Sequence, residues 1–423
     1  MTKIAVIGTG YVGLTTGACF AHLGHDVVCA DIDADKVERL RRGEVPILEA
    51  GLDELVKDGI ESGRLTFVLG AATAAETCEV AYLCVPTPQG ADGSADLSYI
   101  EAAAEEIGPV LPSEAVVVNK STVPVGSTRV VERALGRSDV SVVSNPEFLR
   151  EGSAVHDFLN PDRIVIGADD QNAAVKVSSL YLGITAPVIV TDPASAETIK
   201  YAANAFLATK ISFINAIAAV CEAVGADIKD VALGMGYDTR IGHEFLKPGP
   251  GWGGSCFPKD TRAMIRIAED AGYDFHLLKG VVEVNEEQLN RVADKIEALA
   301  GGSVEGKRVG AWGLTFKART DDLRESPAIA ILQRLASRGA LVRAYDPSGP
   351  GPIEGIEVVE DPYAAVQDAD VLAVLTEWDE FRWLDLDKVT DAMAGRAVMD
   401  ARNLLDRAAF VRRGFEYQGI GRA

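Results

Sequence analysis

Residues 3–33 read "KIAVIGTGYVGLTTGACFAHLGHDVVCADID", and the fold is decided here. "KIAVIG" is short and nearly all apolar, as a parallel strand covered on both faces must be. "GTGYVGLTTGACFAHLG" follows with helical spacing, and "HDVVCADID" supplies a second strand. Gly8, Gly10 and Gly13 form G-x-G-x-x-G between strand and helix, and Asp31 lies about twenty residues further on. The first glycines let the backbone turn tightly and approach a pyrophosphate. The helix start adds unpaired N–H groups and the positive end of its dipole, and Asp31 can accept from two ribose hydroxyls. A lone glycine pattern is as easily a packing device; this one has the strand before it, the helix after it and the acid beyond it. An acid there repels a 2′-phosphate, which favours NAD over NADP.

Working outward, strands in "EVAYLCVPTP", "AVVVNKSTVP" and "VSVVSNPEF" each end in Pro, Ser, Thr or Asn, where a ligand-facing loop should begin. They continue a doubly wound sheet to about residue 190. "SAETIKYAANAFLATKISFINAIAAVCEAVG" then reads as one long apolar-rich helix with no Pro or Gly until Gly225, and helical segments continue to about residue 300. Strands return with "RVGAWG", "LVRAYDP", "VLAVLTEW" and "AVMDARN", alternating with helical runs such as "SPAIAILQRLASRG". "GLTFK" has lost the glycine fingerprint, so a whole dinucleotide is not expected in this second sheet. The expectation is an α/β protein: two Rossmann-like doubly wound parallel-sheet domains, 1–195 and 301–423, joined by a long central helix and a helical middle domain, 196–300.

Bulk properties agree. The 423 residues exceed what one core usually spans. An apolar share of 48% suits ordinary globular packing. No stretch approaches roughly 18 uninterrupted apolar residues, and no charged leader precedes "KIAVIG", so no membrane is expected. A net charge of −22 argues against nucleic acid as a partner. Cysteines at 19, 29, 78, 84, 221 and 256 show no paired spacing for a disulfide framework or a metal site, which fits a reducing cytoplasm.

Cys256 stands apart from the others. In "GWGGSCFPKD" it follows glycines rather than apolar residues, and Pro258 suits the first turn of a helix. The thiol then lies just outside the positive end of a helix dipole, with Lys259 close, which favours thiolate and a nucleophilic role. Asp260 falls in the first helical turn, where acids are also common for structural reasons. Lys200 and Asn204, four apart, share a helix face and could hold a developing oxyanion, or simply face water. Glu147 and Glu151 could activate a water if partly buried, although surface glutamates are commoner. Thr122, at a strand end, could hold a water or hydroxyl.

Together "GTGYVG", "STVPVGST", "NPEFLREG", "YAANAF", "GYDTRIG", "GWGGSCFPKD", "GLTFKARTDDLRESPA" and "YDP" resemble the UDP-glucose/GDP-mannose dehydrogenases over nearly the whole chain. "YDTRIG" and "FLKPGPGWGGSCFPKD" look most like the UDP-glucose branch. The resemblance implies NAD-dependent, four-electron oxidation of a nucleotide sugar's primary alcohol to a carboxylate, through a thiohemiacetal and a thioester on Cys256. It implies that Lys200 and Asn204 stabilise the oxygen on C6 and that Asp260 and Thr122 order a water. Glu151, with Glu147, becomes the base of thioester hydrolysis. The first oxidation's base stays open between a water assisted by Asp260 and a neutral Lys200.

The cofactor is implied at Gly8, Gly10, Tyr11, Val12, Gly13, Asp31, Lys36, Pro86, Thr122, Glu151, Lys259 and Arg324. The sugar nucleotide is implied at Glu147, Phe148, Leu149, Arg150 and Glu151, at Phe245, Leu246, Lys247, Pro248 and Gly249, and at Gly253 and Lys317, besides Lys200 and Asn204. Arg240 would reach a neighbouring subunit's substrate, and the long helix would serve a homodimer or a higher homo-oligomer. Three alternatives compete. One is the same oxidation of GDP-mannose or a UDP-N-acetylhexosamine. Another is a two-electron hydroxy-acid dehydrogenase, which has no use for Cys256. The third is a non-catalytic redox sensor, which leaves Lys200, Asn204, Thr122 and Glu151 unexplained.

Overall fold

The computed structural model describes residues 1–88, 90 and 95–422. They fall into two compact units, Met1–Ala203 and Asn204–Ala423.

In the first unit, β1 (Lys3–Ile7), β2 (Asp26–Asp31), β3 (Leu65–Leu69), β4 (Val80–Leu83), β5 (Val116–Asn119), β6 (Ser141–Ser144), β7 (Ile164–Gly167) and β8 (Val188–Thr191) form one sheet. Its order is β3-β2-β1-β4-β5-β6-β7-β8. The first six strands are parallel; β6 meets β7 at one antiparallel pair, Ser144 with Gly167, and β8 runs parallel to β7. The sequence reading had no strand at β3, β7 or β8. Runs as short as "IVIG" and "VIVT" carry no period that separates a buried strand from a piece of helix. Every residue of β4 and β5 is buried, which explains their unbroken apolar sequence. Strand order reverses between β1 and β4, and such a reversal opens a crevice at the carboxyl ends of the strands.

The helix Tyr11–His22 starts at that crevice and lies hard against the turn after β1. A Cβ on Gly13 would come 1.9 Å from the Gly8 carbonyl oxygen, so only glycine permits this approach. Gly8 itself has φ +95°, a left-handed conformation.

In the second unit, β9 (Arg308–Trp312), β10 (Leu341–Tyr345), β11 (Glu357–Val359), β12 (Val371–Val374), β13 (Ala397–Asp400) and β14 (Glu416–Gly419) form a wholly parallel sheet, ordered β11-β10-β9-β12-β13-β14. This repeats the order of the first six strands. The repetition reaches single bonds: the Gly8 N–H donates to the Ala30 carbonyl and the Gly313 N–H to the Tyr345 carbonyl, each at 2.8 Å. Leu289, Val292 and Ile296 of the helix His276–Leu299 share a core with Val309 and Ala311 of β9 and Leu332. The helical region and the second sheet are therefore one packed body.

The long helix spans Pro193–Val224. It is long and apolar enough to cross a membrane by length and composition. Glu197, Lys200, Asn204, Ser212 and Asn215 are nevertheless buried along it, as in a helix that carries polar groups inside a folded protein.

Gly13→Ala should destabilise the first unit by about 2 kcal/mol, because neither the helix nor the turn can yield without losing backbone bonds. Thermal unfolding of the variant would show a melting point several degrees lower, together with weakened dinucleotide binding.

Candidate active site

At the turn after β1, Gly10 caps the helix Tyr11–His22, and nothing stands within 4 Å of where its Cβ would be. That open backbone, beside unpaired helix N–H groups, fits a pyrophosphate. Asp31, at the end of β2, accepts from the Thr9 hydroxyl and N–H, from the Asp33 N–H, and from Lys36 Nζ at 3.0 Å. Burial by itself would raise the Asp31 carboxyl; the Thr9 hydroxyl, Lys36 and the two backbone donors outweigh it and hold the group at about 2. Lys36 therefore stands on Asp31, while Val12 packs against the core below. Pro86 is exposed in the loop after β4. That loop is tied to the one after β5, where Thr87 Oγ1 donates to the Thr122 carbonyl at 2.9 Å and Ser121 Oγ to the Val85 carbonyl at 2.7 Å. These residues gather at the carboxyl ends of β1, β2, β4 and β5.

The segment after β6 carries a buried ion pair. Lys200 Nζ lies 2.8 Å from Glu147 Oε1, with both side chains about 5% exposed or less. Burial pushes Glu147 upward, but the Lys200 ammonium and the Leu149 N–H more than offset this and keep it below its ordinary value. Phe148 offers its ring to Lys200 at 5.5 Å and to the Arg163 guanidinium at 3.7 Å. Leu149 is half-buried against the core, Arg150 is exposed and doubly bonded to Asp157, and Glu151 is half-buried.

In the second unit Cys256 occupies the cap position of the helix Phe257–Asp270, with Pro258 in its first turn, so the thiol borders free N–H groups. It is half-buried, whereas the other five cysteines are buried; burial raises Cys19, Cys78 and Cys84 to about 12. Asp260 is fully buried one turn on, taking the Asn204 amide at 2.6 Å and Lys259 Nζ at 2.7 Å. Asn204 and Asp260 are thus in contact, and Lys259 is turned onto Asp260. The loop before the thiol is pinned by backbone proximity. A Cβ on Gly253 would fall 1.9 Å from the Glu325 carbonyl, and the Gly254 N–H donates to the Arg324 carbonyl at 3.0 Å.

Of the other anticipated residues, Gly249 is buried, donating to Asn215 Oδ1 and accepting from Gln288 Nε2. Leu246 is buried, Lys247 is exposed and Pro248 is half-buried. Phe245 adopts φ +62°, rare for an aromatic residue, with its ring edge-on to Phe257. Lys317 lies over the Phe316 ring, 5.4 Å from Nζ to centroid. Arg324 is doubly bonded to Asp322, and Arg240 is exposed and doubly bonded to Asp238. At the turn after β9, Asp346 takes the place that Asp31 has after β1. It is 2% exposed and accepts from the N–H groups of Leu314, Thr315 and Ser348 and from the Trp378 indole. Asp31 is likewise met by several donors but keeps 12% of its side chain exposed, so burial is what separates the two carboxylates.

Sequence reasoning missed Glu49, which bonds Tyr11, and Glu197, which accepts from the Gly126 and Thr128 N–H groups. It also missed Arg402, whose guanidinium would touch a Cβ on Gly249 and which donates to the Phe316 carbonyl. Arg402 had a signal: it follows "AVMD" at a strand's carboxyl end, where ligands bind. Glu49 and Glu197 had none, since their partners, the Tyr11 and Thr128 hydroxyls and several backbone N–H groups, all lie far along the chain.

Three family models match the chain in series. Residues 2–185 match the NAD binding domain of the UDP-glucose/GDP-mannose dehydrogenase family, 194–287 its central domain and 310–407 its UDP binding domain. The chain belongs to that family. It is 48% identical to the UDP-glucose 6-dehydrogenase of Rhizobium meliloti (strain 1021), over 99% of both chains. A UDP-glucose dehydrogenase from the hyperthermophilic archaeon Pyrobaculum islandicum superposes with a TM-score of 0.92 at 40% identity, covering 100% of this chain and 98% of the other. A UDP-D-ManNAc dehydrogenase from Pyrococcus horikoshii gives 0.87 at 28% identity, over 99% of both.

Asp31→Asn removes a charge-assisted acceptor and should weaken NAD binding by about tenfold. Because folding depresses the Asp31 carboxyl from 3.8 to about 2, its stabilisation is present above pH 4 and is lost as pH falls through 2. Melting curves of the wild type and the variant should therefore differ at pH 6 and converge near pH 2.

Proposed function

We propose that this chain oxidises the C6 alcohol of UDP-glucose to the carboxylate of UDP-glucuronate, reducing two NAD per sugar. The observation that carries the reading is Cys256, a half-buried thiol at a helix start one turn from the buried Asn204–Asp260 pair and the half-buried Lys259. Support for the sugar comes from the names of the relatives at 48% and 40% identity, against 28% for the UDP-D-ManNAc enzyme. We assign NAD to residues 1–195, self-association to 196–300 and the uridine diphosphate to 301–423.

NAD, when bound, supplies the hydride acceptor for both oxidations. Gly8, Gly10, Tyr11, Val12, Gly13, Asp31 and Lys36 hold its adenosine and pyrophosphate, with Pro86, Thr122, Glu151, Lys259 and Arg324 along the remainder. The Lys200 ammonium and the Asn204 amide stabilise negative charge on the C6 oxygen. The Lys200–Glu147 ion pair favours a cationic lysine, so a water ordered by Asp260 and Thr122 is the better base for the first oxidation. The Cys256 sulfur then bonds to the aldehyde carbon, the thiol proton passes to the oxygen, and the same sulfur keeps the acyl group as a thioester after the second oxidation. Glu151 takes a proton from the water that attacks this acyl carbon, which frees the carboxylate and restores the thiol. Glu147 serves as the counter-ion of Lys200. The loop Phe245–Gly249, Gly253, Lys317 and Arg402 receive the nucleotide sugar.

The long helix presents Phe206, Phe213, Val220 and Val224 to solvent, each half or more exposed. Their spacing of seven, seven and four puts them on one face, the pattern of a helix that pairs with another helix. A second copy of the chain is the partner we assign to this face, with Arg240 available across it. Six free cysteines fit the cytoplasm.

With limiting UDP-glucose and excess NAD, two NADH should form per sugar, and few or none with GDP-mannose or UDP-N-acetylmannosamine. Cys256→Ala should lose turnover by roughly 10³-fold or more. One NADH per sugar in the wild type would contradict the thioester route. Phe213→Asp should shift the sedimenting species from dimer to monomer; an unchanged coefficient would remove the helix from the interface.

A further inference from the structure

We propose that Glu49 is a positioning residue that fixes Glu151 relative to the dinucleotide turn. Glu49 is 7% exposed and lies in no catalytic motif. Its carboxylate accepts from Tyr11 Oη at 2.6 Å, from the Gly152 N–H at 2.7 Å and from the Ala154 N–H at 2.9 Å. Tyr11 is the first residue of the helix that begins at Gly10, and Gly152 directly follows Glu151. One carboxylate therefore bridges the turn that cradles a pyrophosphate and the loop that carries the hydrolytic base, all within the first unit.

The bridge is specific in its chemistry. The short helix Ala154–Leu159 has no side-chain cap from its own Ser153, whose hydroxyl turns to Asp157 at 3.2 Å; Glu49 takes the Ala154 N–H instead. All three partners are donors, so the site requires an acceptor on both oxygens. A glutamine of the same shape has one acceptor oxygen and turns an NH2 group toward groups that also donate. At least one bond is lost, and the Gly152 segment is released from Tyr11. A shift of about 1 Å in a catalytic group is enough to slow a reaction on the order of 10²-fold. Glu49 touches neither sugar nor cofactor by this account; it acts through Glu151 on one side and Tyr11 on the other.

The proposal rests on the reading of Glu151 as the base of thioester hydrolysis, and the test separates the two. Glu49→Gln, Glu151→Gln and the double variant are mixed with UDP-glucose and NAD. Acyl-enzyme on Cys256 is measured by intact mass, NADH release by stopped flow, and NAD affinity by calorimetry without sugar. Glu49→Gln should give a near-normal NADH burst, slowed steady-state turnover, accumulated acyl-enzyme and an NAD Kd raised about fivefold. The double variant should hydrolyse its thioester no more slowly than Glu151→Gln alone, because one effect runs through the other.

Normal hydrolysis in Glu49→Gln beside slow hydrolysis in Glu151→Gln overturns the Glu49 proposal alone. So does a raised Kd with no acyl-enzyme, or additive losses in the double variant. Normal hydrolysis in Glu151→Gln overturns both readings. Should Glu49→Gln not fold, Tyr11→Phe removes one donor and leaves the backbone bonds intact. A smaller rise in Kd with some acyl-enzyme supports the proposal, and wild-type values for both refute it.

Discussion

A loop leaving the carboxyl end of a parallel strand carries backbone N–H groups without strand or helix partners, and in this protein buried or half-buried carboxylates take them. Asp31 binds Thr9, Glu49 binds Gly152 and Ala154, Glu197 binds Gly126 and Thr128, and Asp346 binds Leu314 and Thr315. Asp400 does the same for Leu404 and Leu405. Burying a carboxylate is costly unless several donors compensate, and each of these has at least two backbone donors. The balance differs from site to site. The donors and Lys36 prevail at Asp31, whereas burial prevails at Glu197 and Asp400, whose carboxyls lie above their ordinary values. Several of these loops are thus held by hydrogen bonds to carboxylates as well as by packing.

The long helix shows how one element can serve both core and chemistry. Tyr201, Ala208, Ile214 and Ala218 fill the interior while Phe206, Phe213, Val220 and Val224 stay exposed, and Glu197, Lys200 and Asn204 follow one another at turn-like intervals and are all buried. Glu197 anchors the helix start to the loop after β5, and one turn later Lys200 meets Glu147. Asn204, a further turn along, meets Asp260. Each polar side chain has a committed partner, which is what makes such burial tolerable in a helix otherwise apolar enough for a bilayer.

A protein of net charge −22 that handles an anionic sugar nucleotide must gather its cations locally. Three of the chain's lysines are held in place by acids. Lys36 is paired with Asp31, Lys200 with Glu147 and Lys259 with Asp260, at 3.0, 2.8 and 2.7 Å. The pairing fixes where each ammonium points.

The sequence by itself determined the strand–turn–helix of residues 3–22, the acid at 31, the second sheet's lack of a glycine fingerprint, and the exceptional setting of Cys256. Each of these is a local matter of period, turn chemistry or a helix start, and neighbours in sequence suffice to read it. Strands β3, β7 and β8 escaped because a few apolar residues fit a strand or a helix equally well until a sheet edge receives them. Only the tertiary structure decided that Glu147 is the partner of Lys200, that Asp346 is sealed from solvent where Asp31 stays partly exposed, and that Glu49 joins Tyr11 to the loop after Glu151. Those facts depend on contacts between segments tens to a hundred residues apart. Which donor a buried carboxylate meets is fixed by the packing of the whole unit, and no local pattern records it.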